Sequence, residues 1–173
     1  MKQFCIVYFV SCFLLFLPQP VFGQHNNGKT SPEMQVDILN RLGTTYNEKG
    51  NFEKAESLFQ KAIALSRKHK FAKKLGQSLY NLSSLYTETA NYETAIKLGE
   101  ECVEVLQKQD DKETVAKSLM NLEICWQKRG MLINVMIYAD SAVKALRALK
   151  KDTLLELALW RQGEVYRLSL IHI

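Results

Sequence analysis

A chain of 173 residues with 47% hydrophobic and 24% charged residues has ordinary globular composition, neither disordered nor collagen-like. Lys and Arg number 23 against 18 Asp and Glu, and four Cys are too few for a disulfide-dense scaffold. With only three Pro and eight Gly, the chain lacks the regular turn signals of a sandwich or barrel.

The chain opens as a targeting segment. Lys2 supplies a positive start, and an apolar run from Phe4 to Leu17 follows, closed by Pro18 and Pro20. Val21-Phe22-Gly23 then offers a cleavage site before Gln24. This is the layout of a secretory signal peptide over residues 1–23. A retained anchor is the alternative, although the run is short of the ~20 residues that span a bilayer. Export places the mature chain in the periplasm or outside the cell. Residues 24–32 read as a flexible lead-in, and Ser31-Pro32-Glu33 as a helix start: an N-cap, a residue of preset φ and an acid at the positive end of the dipole.

Three stretches beginning at Leu39, Leu79 and Leu119 align without gaps at an offset of 40. One column holds Leu42, Leu82 and Leu122, and the next aromatic column Tyr46, Tyr86 and Trp126. Gly50, Ala90 and Gly130 follow, and later Ala55, Ala95, Val135 and Ala62, Cys102, Ala142. A fourth copy starts with Leu159, Gly163 and Tyr166. Within each copy the apolar residues recur at helical spacing on both sides of the Gly50-Asn51 break, where Gly50 suits a left-handed residue and Asn51 a cap. Each copy is therefore an antiparallel helical hairpin, and a fixed period of this size predicts a stacked array. Small residues at Gly43, Ser83 and Ala62 let the helices approach, while Tyr46 and Phe59 fill the space between them.

Leu39, Leu42, Gly43, Tyr46, Ala55, Phe59 and Ala62 resemble the tetratricopeptide repeat pattern at its spacing. The departures are Gly99 and Ala139 in the Phe59 column, Glu123 in the small-residue column, and Arg67, Gln107 and Arg147 where the family often has Pro. The period of 40 exceeds the family's usual 34 and resembles a longer-period type of bacterial exported and sensor proteins. The resemblance implies an all-α right-handed superhelix with units at 33–70, 71–110 and 111–150 and a first helix of a fourth unit at 151–167. Residues 168–173 fit no column and read as a translated transposon end. The expectation is a truncated frame with a non-native tail, and self-association through the apolar helix at 152–167, where Leu154, Leu155, Leu157, Leu159, Trp160 and Tyr166 have no second helix to cover them.

Chemistry-bearing motifs are absent from the sequence. His25, His69 and His172 are isolated, and there is no metal-ligand spacing, phosphate-cradling loop or nucleophile elbow. The expectation is a non-catalytic protein without cofactor or metal. Basic residues interleave with Glu along the helices, which argues against nucleic acid. The basic turn Arg67-Lys68-His69-Lys70 reads as a solvated helix end, with an anion or membrane contact as the alternative; direct membrane binding by the repeats is not expected. Cys102 and Cys125, on adjacent helices, read as two buried thiols, with a disulfide as the alternative.

The resemblance implies that ligands lie on the concave face formed by first helices. Its columns here hold Asn40, Tyr80, Met120 and Trp160; Arg41, Asn81, Asn121 and Arg161; and Thr44, Ser84, Ile124 and Glu164. Aromatic and Met side chains there suit a peptide or partner protein. A clamp for acidic chaperone tails, known in one subgroup, would need five positions that here are Asn40, Thr44, Asn81, Lys117 and Asn121; only Asn81 and Lys117 match. The leading expectation is an exported interaction scaffold. The alternative is the sensor region of a longer signalling protein with a histidine kinase or helix-turn-helix domain.

Overall fold

Seven helices follow one another in the computed structural model, which describes residues 30–149 and 152–171. They are α1 (Pro32–Glu48), α2 (Phe52–His69), α3 (Ala72–Glu88), α4 (Tyr92–Gln107), α5 (Lys112–Lys128), α6 (Leu132–Leu149) and α7 (Asp152–Ile171). The expected signal peptide, the residues from Gln24 to Lys29 and the last two residues lie outside the described chain. Among the described residues there is no strand, and no helix is long and apolar enough to cross a membrane.

The helix ends follow from local chemistry. Ser31 caps α1 by accepting from the Met34 amide at 3.2 Å, with Pro32 at the first helical position. Asn51 and Asn91 do the same for α2 and α4 through the Lys54 and Thr94 amides. The turns inside the units need a left-handed residue. Gly50 and Gly130 supply it at φ +73° and +72°, while Ala90 is held at +60°. Each turn is closed by an amide that reaches back to the aromatic column, Asn51 to Tyr46, Asn91 to Tyr86 and Met131 to Trp126. A Cβ makes the left-handed turn costlier, so Ala90 is the weak copy of the device.

Packing pairs α1 with α2, α3 with α4 and α5 with α6, and stacks the pairs in chain order. The first helices also touch along the row, α1 with α3 and α3 with α5, and so form its inner layer. Inside the first pair, a Cβ on Gly43 would fall 2.5 Å from the Phe59 ring, so only Gly admits that ring. In the second pair Leu106 lies against Gly76, and in the third Leu146 clusters with Ala116. The same columns of the first unit hold Val36 and Ser66, both fully buried. Small opposite large keeps the filled volume level from unit to unit.

The Leu42 column does not lie only between the two helices of its own hairpin. Leu122 packs on Ala95 and Ile96 of the preceding second helix, and Leu82 shares a cluster with Ala55, Phe59 and Ile63 of α2. The column therefore fills the seams between units. Leu82 and Leu122 are 4% and 1% exposed, but Leu42 is 45% exposed, because no described helix precedes α1. Met34 and Ile38 are exposed beside it for the same reason.

Glu123, the misfit of the small-residue column, is buried at the seam with α7. Arg161 holds both its carboxylate oxygens, at 2.7 and 3.0 Å. One unit earlier the same two columns carry Asn121 and Ser83, joined by a single hydrogen bond of 2.9 Å. α7 itself packs on α6, and its helix runs to Ile171, past the expected end near Arg167, since no Gly or Pro interrupts it there. Tyr166 donates to the Asp140 carboxylate of α6 at 3.0 Å and stays partly exposed, with Leu157 and Trp160 exposed beside it. Cys102 and Cys125 are free, buried and in different clusters. The Cys102 thiol donates to the Gly76 carbonyl and the Cys125 sulfur meets the Thr87 hydroxyl, so the disulfide alternative is not formed. Burial pushes the Cys102 thiol up to about 11, which keeps it protonated and unreactive at neutral pH.

Candidate functional site

Three first helices line one groove of about 510 Å³. α1 contributes Asp37, Asn40 and Arg41, α3 contributes Gln77, Tyr80 and Asn81, and α5 contributes Thr114 and Lys117. Their spacing is the reason they meet. Positions 37, 40 and 41 share a helix face, and the same face recurs at 77, 80 and 81 one unit later. Stacking the units lays these faces side by side.

Polar contacts fix the walls. Lys74 pairs with Asp37 across the first seam, and Gln77 donates to Asp111 at 3.0 Å across the second. Lys117 pairs with Glu113 of its own helix at 2.9 Å. Asn40 is buried, and its amide donates to Ser78 of the next unit at 2.9 Å. Arg41 keeps its side chain exposed at the rim. The Tyr80 phenol lies between these groups, and burial raises its pKa while nearby Lys117 works against that rise. The phenol is therefore a neutral hydrogen-bonding group over the physiological range.

The structure brings together five of the expected binding residues, Asn40, Arg41, Tyr80, Asn81 and Lys117. The others sit elsewhere. Asn121 is 8% exposed and committed to Ser83. Met120 packs beside the cluster of Ala116, Val143, Leu146 and Ala158. Thr44 donates to the Asn40 carbonyl at 3.1 Å, and Ser84 and Ile124 are half-buried. Trp160 is 66% exposed and lines a separate hollow of about 230 Å³ with Glu123, Gln127, Arg161 and Glu164. Sequence reasoning missed Asp37, Gln77 and Thr114. Asp37 and Gln77 stand one helical turn before Asn40 and Tyr80, in the column that also holds Lys117, and that periodicity was the available signal.

The arrangement presents two cationic side chains, a neutral phenol and a carboxamide along an open groove. Such groups bind and orient a ligand with acceptor or carboxylate groups. Among the described residues, no group of three or more His, Cys, Asp or Glu is placed to hold a metal ion.

Comparison with known proteins bears on the fold. Residues 35–108, most of the first two units, match the tetratricopeptide repeat family. No curated protein matches the sequence significantly. Among solved structures, BtubC (BKLC) from P. vanneervenii is similar with a TM-score of 0.73 at 19% identity, over 82% of this chain and 59% of that one. The TPR domain of Arabidopsis FLU gives 0.63 at 15% identity, covering 68% of this chain and 98% of that domain. The N-terminal domain of stress-induced protein-1 (STI-1) from C. elegans gives 0.62 at 18%, covering 78% and 99%. This chain thus spans 59% of the BtubC chain and nearly all of the two domains.

Proposed function

We propose that this chain, whose residues 35–108 match the tetratricopeptide repeat family, is a non-catalytic interaction scaffold whose inner groove binds a peptide segment of a partner protein. The observation that carries the reading is the convergence of Arg41, Tyr80, Asn81 and Lys117 from three successive first helices on one open groove. An extended peptide laid across them meets Arg41 and Lys117 with its carboxylates or carbonyls, and the Asn81 amide with its backbone. Tyr80 supplies area and a hydroxyl. The departures from the two-carboxylate clamp, of which only Asn81 and Lys117 are kept, argue against the acidic chaperone tails that clamp holds. The signal-like segment at residues 1–23 supports export of the scaffold to the periplasm or the outside of the cell.

The test is selection of binding peptides from a random displayed library, followed by anisotropy titration of the best sequence. Tyr80→Ala and Arg41→Ala are expected to weaken binding by about tenfold each, as anchor residues do. Lys61→Ala, on the outward side of α2, is expected to leave it unchanged. Equal binding by all three variants would remove the groove from the account. For export, N-terminal sequencing of secreted material is expected to begin at Gln24; an intact Met1 would contradict it.

A further inference from the structure

Where a second helix turns into the next first helix, a cleft can open against the following second helix. Two such clefts occur at equivalent positions, one of about 370 Å³ after α2 and one of about 440 Å³ after α4. Their floors are alike, with Ala72, Leu75 and Val105 in the first and Val115, Ala145 and Ala148 in the second.

Their charge differs. Arg67, Lys70 and Lys108 line the first cleft, and Glu104 is its one carboxylate. Lys68, His69 and Lys73 are exposed next to it in the chain, and Arg67 is steadied by Glu101. The second cleft mixes Lys108 and Lys112 with Asp110. The helices that start there differ in the same sense. Asp111 caps α5, accepting from both the amide and the hydroxyl of Thr114. Phe71 stands in that column at α3 and provides no side-chain cap, and the first turn of α3 has no acid. At the base of the first cleft Ser66 is fully buried and its hydroxyl has no partner. Leu106 takes that column in the second.

An apolar floor, a basic rim, a helix start with neither a side-chain cap nor a first-turn acid and an orphaned hydroxyl thus meet in one cleft. We propose that this cleft is a second binding site for an acidic peptide segment carrying one aliphatic side chain. The aliphatic group covers Leu75 and Val105. The flanking carboxylates meet Arg67, Lys70 and Lys108 and the positive end of the α3 dipole. The proposal stands apart from the groove reading, since the two sites share no residue.

The experiment titrates the full chain with a labelled peptide of Asp and Glu around a single Leu. Controls are its Asn and Gln counterpart, a copy with Ser for Leu, and vesicles of phosphatidylglycerol. The acidic Leu peptide is expected to bind, the two altered peptides to bind much more weakly, and added salt to weaken all binding. Lys70→Gln with Lys108→Gln is expected to weaken it roughly three- to tenfold, the combined effect of two exposed charge pairs. Both positions are exposed, so the variant keeps its fold by circular dichroism. The same titration on a chain carrying Arg41→Ala with Lys117→Ala, which disables the inner groove, is expected to keep the peptide binding that the Lys70 and Lys108 changes weaken. Binding that ignores the Lys70 and Lys108 changes, or that follows the groove variant instead, overturns the proposal. So does binding to the vesicles without binding to the peptide, which would make this turn a membrane contact.

Discussion

The seam between the second and third units and the seam between the third unit and α7 use the same two columns with different chemistry. Asn121 reaches Ser83 with one neutral hydrogen bond, whereas Arg161 grips Glu123 with two charged ones. Residue 123 is 2% exposed, so its charge is tolerated only because the guanidinium arrives from the next helix. The neutral seam can lose a partner at small cost. The charged seam makes the third unit depend on α7 being docked. A repeat array normally spreads stability evenly over its interfaces, and here one interface is all-or-none.

Cutting the apolar part of a seam has the largest expected effect. Leu82→Ala should lose about 2–5 kcal/mol in urea denaturation, because it opens a cavity between α2 and α3. Leu42→Ala, the same column without a covering helix, should lose under about 1 kcal/mol. Equal losses would mean that the two positions are equally buried. Next comes the ion pair. Arg161→Met leaves Glu123 buried and unpaired, at a cost of about 3 kcal/mol. That cost is capped by the free energy of detaching α7, so faster amide exchange along α7 should accompany it. Combining Arg161→Asn with Glu123→Ser copies the neutral seam and should restore most of the loss. If the double change is worse than Arg161→Met alone, the two seams are not equivalent.

Much of this was legible before the structure. The consecutive helix pairs were legible from the repeated columns, and the caps at Gly50-Asn51 and Ser31-Pro32 because such devices act locally. What escaped were relations between units. Glu123 is visibly out of place in its column, but its answer, Arg161, lies 38 residues on rather than 40. The stagger of stacked helices sets that offset, and no single unit contains it. Which side the Leu42 column covers was not legible for the same reason, since a first helix faces both its partner and the preceding unit. In the groove, Tyr80 and Asn81 were legible as columns, whereas Asn121 and Met120 of the same columns are spent on packing. Position in a repeat does not say which copy has been recruited to hold its neighbour.

A smaller effect is expected at the turns inside the units. Ala90→Gly should stabilise by about 1 kcal/mol, since it relieves a left-handed Ala that the equivalent turns avoid with Gly50 and Gly130. Thermal denaturation checks it, and a loss would show that Ala90 contributes packing. The smallest effect joins the seams to pH. Tyr86 donates to Glu56 and Tyr138 to Glu100, each across a seam. Burial first, then those carboxylates, push both phenols from 10.0 up to about 12. A raised acid keeps its proton longer in the folded state, so this stabilisation is full below pH 10 and drains away as pH climbs toward 12. Tyr86→Phe and Tyr138→Phe should each flatten that alkaline slope; an unchanged slope assigns it to other groups.

The central claim is that the inner face of the first helices is where a partner peptide sits. The most direct measurement is the change in amide and side-chain NMR signals of the full chain on adding a library-selected peptide. The account predicts that the shifts centre on Arg41, Tyr80, Asn81 and Lys117 and span α1, α3 and α5. Shifts confined to the outward faces of α2, α4 and α6, with those four residues unmoved, would contradict it.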